Sequence, residues 1–166
     1  MSLELYLIRH GIAADRDDYA NDEQRPLTEK GYRKTQKVAK QLRDLNTQFD
    51  LILTSPLLRA RQTAQILQIA ALAKEIKEST SLAPDGNIQN WIDWLEKWRS
   101  SGGTRLALVG HQPDLGKWAE ILVWGESQER LILKKAGIIG LLVPDRGNPM
   151  GQSELFWLTS PKLFLH

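Results

Sequence analysis

The sequence predicts an α/β protein: a three-layer α/β/α sandwich around a mostly parallel central sheet, with antiparallel strands at one edge. Three observations carry that reading. Residues 3–8, 49–54 and 105–110 are short apolar runs of the kind buried on both faces in parallel sheets. Segments with helical spacing lie between them, the alternation expected of βαβ units. The run at 49–54 and the run at 105–110 each lead into an X-Pro pair, Ser55-Pro56 and Gln112-Pro113, where a helix is expected to open.

In chain order, the first strand (residues 3–8) ends abruptly at Arg9, His10 and Gly11. Gly11 permits a sharp turn or a close approach of other groups. An Asp-rich loop over residues 13–25 follows. Thr28 is the predicted N-cap of the first helix, with Glu29 in its first turn and Thr35, Val38, Leu42 and Leu45 at helical spacing. After the second strand, Ser55 is the predicted N-cap and Pro56 the first position of a helix with Ala60, Ala64, Leu67 and Ala71 on one face. A short third strand falls within residues 73–79, and residues 82–87 have turn chemistry. Trp91, Trp94, Leu95 and Trp98 form one stripe of the next helix and are assigned to packing. A helix from Pro113 to about Val123 follows the strand at 105–110. Residues 131–133, 136–143 and 154–158 read as strands, the last two joined by a turn at 145–148.

Bulk properties narrow the partners. The chain has 166 residues, the size of one domain, and is read as a single domain over 1–166. A net charge of +2 gives no reason to expect nucleic acid or a membrane surface as partner, and no apolar run has the length of a membrane span. With no cysteine, disulfides and thiolate metal sites are excluded. A core strand starting at residue 3 leaves no room for a leader, so a cytoplasmic location is expected.

Chemistry concentrates at three strand-to-helix junctions: Arg9-His10-Gly11, Ser55 to Arg59, and Gly110-His111. If the strands are parallel neighbours, these junctions share one rim, where ligands collect in open α/β sheets. Arg59 falls in the first turn of its helix and leans toward that rim. Two guanidiniums, two imidazoles and two helix N-termini then make an anion pocket suited to phosphate. A neutral imidazole is a competent nucleophile. Neighbouring arginines should lower the pKa of His10 below the usual value of about 6.5, and a backbone carbonyl on its second nitrogen would fix the tautomer. Phosphoryl transfer needs mainly positioning and charge stabilisation, which Arg9, Arg59 and His111 could supply without metal or cofactor. Arg61 points off this face, and His166 is a chain terminus; neither is given a role.

The chain resembles the histidine phosphatase superfamily, with its phosphoglycerate mutase-like fold, nearly end to end. Leu7-Ile8-Arg9-His10-Gly11 is similar to the signature around the phosphorylated histidine. The stretch Arg25-Pro26-Leu27-Thr28-Glu29-Lys30-Gly31 resembles the Pro-Leu-Thr-x-x-Gly segment. The block from Thr54 to Ala64 resembles Ser-Pro-x-x-Arg-Ala-x-Gln-Thr-Ala, and Val109-Gly110-His111-Gln112-Pro113 the second-histidine block. The resemblance implies that His10 accepts the phosphoryl group while Arg9, Arg59 and His111 bind and stabilise it. Arg25, Gly11 and Gln112 are the implied substrate contacts, Arg25 being equally readable as a solvent-facing arginine beside a helix start. Within the superfamily the chain is most similar to the short SixA-type phosphohistidine phosphatases.

One departure bears on the substrate. Many members place an acid after the third strand as proton donor, and no acid falls cleanly there; Asp85 is the nearest candidate, with Asp18 and Asp17 of the first loop as others. An alkoxide leaving group needs a general acid far more than an imidazole does, so the departure favours a P–N substrate. The chain also has little length to spare for a lid, which suits a phosphohistidine-bearing protein such as a phosphotransfer domain, and hence a place in signal transduction. The alternatives are a small-molecule phosphomonoesterase using one of these acids, and a non-catalytic phosphoprotein-binding module. An intact nucleophile speaks against the latter.

Overall fold

The computed structural model describes residues 2–165; His166 lies outside them. Ten principal elements alternate: β1 (Leu3–Arg9), α1 (Glu29–Asp44), β2 (Leu51–Thr54), α2 (Leu58–Ile69), β3 (Ile76–Glu78), α3 (Ile88–Ser100), β4 (Arg105–Gly110), α4 (Asp114–Trp124), β5 (Ile138–Val143) and β6 (Glu154–Thr159). The sheet runs β3-β2-β4-β1-β5-β6. β3, β2, β4 and β1 pair in parallel; β5 is antiparallel to both β1 and β6. The sheet is therefore mixed, parallel on the side that matters for the site, as the sequence predicts.

Period-two alternation along the strands divides the core into two layers. Leu3, Leu5 and Leu7 face one way with Leu53, Leu108, Trp91 and Trp118, beneath α3 and α4. Tyr6 and Ile8 face the other way with Ile52, Val38, Leu42 and Leu67, beneath α1 and α2. The tryptophan stripe of α3 is packing: Trp91 and Leu95 are buried in the first layer, and Trp94 and Trp98 stack on each other against it. Among the described residues no helix is long and apolar enough to cross a membrane.

Thr28 caps α1 as expected, its Oγ1 accepting from the Gly31 N–H at 2.9 Å. Four expectations change. Leu45 caps the end of α1 and is exposed rather than on its buried face. α2 starts at Leu58 with Leu57 as N-cap, so Ser55 is not the cap; its hydroxyl is turned to other partners. Ala71 lies beyond the end of α2 at a φ of 66°, outside the helix face predicted for it. Residues 131–133 form no strand: the Leu131 and Leu133 carbonyls accept side-chain donors from Gln112 and Arg9 instead of ladder partners.

Candidate active site

The parallel register brings the three junctions together. Arg9 of β1 pairs with Gly110 of β4, and Thr54 of β2 pairs with Val109. His10 and His111 are the next residues on adjacent strands. Their rings lie with centroids 5.2 Å apart, and the His10 N–H donates to the Gly110 carbonyl at 3.0 Å.

His10 is buried, and its Nδ1 lies 2.7 Å from the Gly11 carbonyl. A carbonyl only accepts, so Nδ1 carries the proton and Nε2 keeps its lone pair. The pKa is pushed down from 6.5 to about 3: burial is the main cause, with His111, Arg59 and Arg9 adding to it against the Gly11 hydrogen bond. The sequence predicts the direction but assigns it to the arginines; loss of hydration outweighs them. His111 is lowered to about 4 for the same leading reason, followed by Arg59. Both rings are neutral at pH 7.

The guanidiniums are anchored at one end. Arg9 Nη1 donates to the Leu133 carbonyl at 3.1 Å. Arg59, 4% exposed, donates to the Asp22 carbonyl at 2.9 Å and to its carboxylate at 3.0 Å. Burial lowers the pKa of both arginines, which at such high starting values remain charged. Arg9 Nε, Arg59 Nε and His111 Nδ1 are buried without a hydrogen-bond partner among the described residues. Buried polar groups are nearly always satisfied, so orphaned nitrogens of this kind around one histidine point to an acceptor-rich ligand.

Asp22 is the acid that the sequence reading passes over. It sits in a short 3-10 turn, Asp22–Gln24, capped by the Asn21 side chain. Its carboxylate bridges Arg59 and Arg25, the latter at 2.9 Å. Partial burial pushes its pKa up, and the two guanidiniums outweigh that and hold it below the ordinary range. The signal was present in the spacing: Asp22 stands three residues before Arg25, within reach of a local pair. Arg25 also donates to the Ala14 carbonyl at 3.0 Å, so it is a partner of Asp22 rather than a freely solvated side chain.

The other expected site residues are placed differently. Gly11 gives its N–H to Thr63 Oγ1 and its carbonyl to His10, leaving no backbone donor for substrate. Its lack of a side chain serves packing: a Cβ there would lie 2.3 Å from Thr35 Oγ1 of α1. Gln112 uses its amide to bond the Leu131 carbonyl and the Gly116 N–H, tying the following loop to α4. Asp85 is exposed, and its backbone N–H is bonded to the Asp114 carboxylate. Asp18 and Asp17 are exposed in a 3-10 turn, Arg16–Asp18. A cleft of about 920 Å³ lined by Leu95, Arg99, Thr104 and Asn148 lies at the opposite end of the parallel strands, away from this chemistry.

A family model described as the histidine phosphatase superfamily (branch 1) matches residues 5–83. An uncharacterised protein of a Picosynechococcus strain is 52% identical over 164 residues, covering 98% of this chain and 99% of that one. The phosphohistidine phosphatase SixA of Escherichia coli K12 is 27% identical over 150 residues, 88% of this chain and 89% of its own. Among solved structures, the protein histidine phosphatase SixA complexed with tungstate superposes with a TM-score of 0.84 at 25% identity, covering 97% of this chain and 99% of that chain.

Proposed function

Given that the chain belongs to the histidine phosphatase superfamily and is SixA-like, we propose that it is a metal-independent phosphohistidine phosphatase that works through a phospho-His10 intermediate on a phosphohistidine-bearing protein, such as a phosphotransfer domain. The observation that carries this is the hydrogen bond from His10 Nδ1 to the Gly11 carbonyl, which leaves Nε2 as the only ring atom able to attack phosphorus.

In the first half-reaction the Nε2 lone pair forms a bond to phosphorus and the substrate P–N bond breaks. The departing imidazole keeps the electron pair; with its other nitrogen already protonated, it leaves neutral. His10 becomes a phosphoimidazolium whose Nδ1–H remains on the Gly11 carbonyl. Water then attacks phosphorus, its protons stay with the released phosphate, and His10 returns neutral. Arg9, Arg59 and His111 offer donors to the phosphoryl oxygens, in line with their orphaned nitrogens. The relative complexed with tungstate supports the same preference here, tungstate being a tetrahedral oxyanion like phosphate.

The phosphomonoesterase alternative requires a protonated acid at the site. Asp22 is held ionised by two arginines, Asp85 and Asp18 are exposed, and no hydrogen bond among the described residues joins Asp85, Asp18 or Asp114, whose pKa burial raises, to His10, His111, Arg9 or Arg59. We therefore favour the P–N substrate. Brief reaction with a labelled phosphohistidine protein should leave acid-labile phosphate on the wild type and none on His10→Ala. Hydrolysis of phosphoserine or sugar phosphates at an equal rate would overturn the substrate assignment. Absence of label on wild type during turnover would overturn the intermediate.

A further inference from the structure

Ser55 is fully buried, and its role as a helix cap has been lost to Leu57. Its Oγ accepts from the Leu57 N–H at 3.2 Å and lies 2.8 Å from His111 Nε2. A serine hydroxyl has a single proton to give. Were Nε2 protonated, both neighbours would donate to Oγ. The hydroxyl proton would then lack an acceptor among the described residues, and Nδ1 would hold a buried lone pair with no donor. With the hydroxyl donating to Nε2 instead, every group is satisfied except one, an Nδ1–H. That remaining donor is of the same kind as the orphaned Arg9 and Arg59 Nε–H groups, which likewise call for an acceptor.

We propose that Ser55 is a positioning residue that locks His111 in the Nδ1–H tautomer, so that this ring donates to an oxygen of the bound phosphoryl group. The proposal rests on the phosphatase reading for its catalytic consequence, but its hydrogen-bond core does not. A histidine without this lock would spend part of its time with a lone pair facing phosphate oxygen, which repels where a donor should attract.

The test is ring-nitrogen NMR of ¹⁵N-labelled protein at pH 7, with inorganic phosphate as the probe. In the wild type, His111 should show a protonated Nδ1 and an unprotonated Nε2, and the Nδ1 proton should shift as phosphate is added. Ser55→Ala should move His111 toward the Nε2–H form and weaken phosphate binding about tenfold, the size of one hydrogen bond to a charged acceptor. Ser55→Thr, which keeps the hydroxyl, should restore both. An Nε2–H tautomer in the wild type overturns the proposal, whatever the variants do. So does a Ser55→Ala protein with unchanged tautomer and phosphate affinity. Failure of the phosphatase reading is separately visible, as a wild-type protein that never acquires label on His10.

Discussion

At the level of single residues, the two histidines are held neutral by a site that must still attract an anion. Their folded pKa values of about 3 and about 4 lie below the unfolded value of 6.5. Between those limits the unfolded chain binds more protons than the folded one, so stability falls as pH is lowered from about 6.5 toward 4. The urea midpoint should therefore drop between pH 7 and pH 5, and drop less in His10→Gln. His10 itself stays unprotonated over that range. Single-turnover labelling of His10 should accordingly show no acid limb near pH 6.5. Asp22 opposes the anion by occupying Arg59 and Arg25. Asp22→Asn keeps an oxygen for one guanidinium and removes the charge, and should bind inorganic phosphate several-fold more tightly in a calorimetric titration; weaker binding would assign Asp22 to holding the arginines in place. Arg9, His10 and His111 could be picked out in the sequence because each lies at or just beyond a readable strand end, and Arg59 because it falls in the first turn of the helix that follows one. Asp22 and Ser55 could not, since their importance comes from loop geometry and from one hydroxyl proton.

At the level of elements, the segment between α4 and β5 is organised by one buried carboxylate. Glu120 of α4 accepts from the Gln128, Arg130 and Leu131 N–H groups and from the Ser127 hydroxyl. Burial pushes its pKa up, and these donors outweigh that and hold it down. The loop so fixed presents the Leu133 carbonyl to Arg9, and its Ala136 N–H reaches the Arg9 and His10 carbonyls at 3.1 Å. Glu120→Ala should cost about 2 kcal/mol or more by leaving buried N–H groups unpaired, measurable by urea denaturation, and should slow His10 labelling by loosening Arg9. This is also why residues 131–133 misread as a strand: Leu133 is buried and Leu131 packs against the core while Ile132 is exposed, an alternation that mimics a strand, and the Leu131 and Leu133 carbonyls are satisfied by side chains that no local pattern reveals. On the other face, Gly31 lets α1 pack against the corner after β1, where a Cβ would lie 2.1 Å from the Ile12 carbonyl oxygen. Gly31→Ala should lower thermal stability by forcing α1 away from that corner, a shift visible as a reduced melting temperature.

For the whole molecule, the order of elements and the two-layer core follow from strand and helix periodicity, so the architecture was legible where the site's connections were not. Tryptophan shows the distinction well. Trp91 is buried at the centre of one layer, whereas Trp124 is 59% exposed at the end of α4. Trp91→Ala should destabilise by about 3–5 kcal/mol and Trp124→Ala by less than about 0.5 kcal/mol, both read from urea curves. Composition could not separate the two; only the helical stripe of α3 did.

The pairing of Arg9 with Gly110 has a consequence for how such a protein can diversify. Because the His10–His111 pair is set by ladder bonds between two neighbouring strands, its spacing does not depend on the lengths of the connecting segments. Changes of length in connections that hold no site residue can therefore be absorbed without moving the two imidazoles apart. A one-residue slip inside β4, by contrast, would turn the His111 imidazole that follows it to the other face of the sheet and break up the pair.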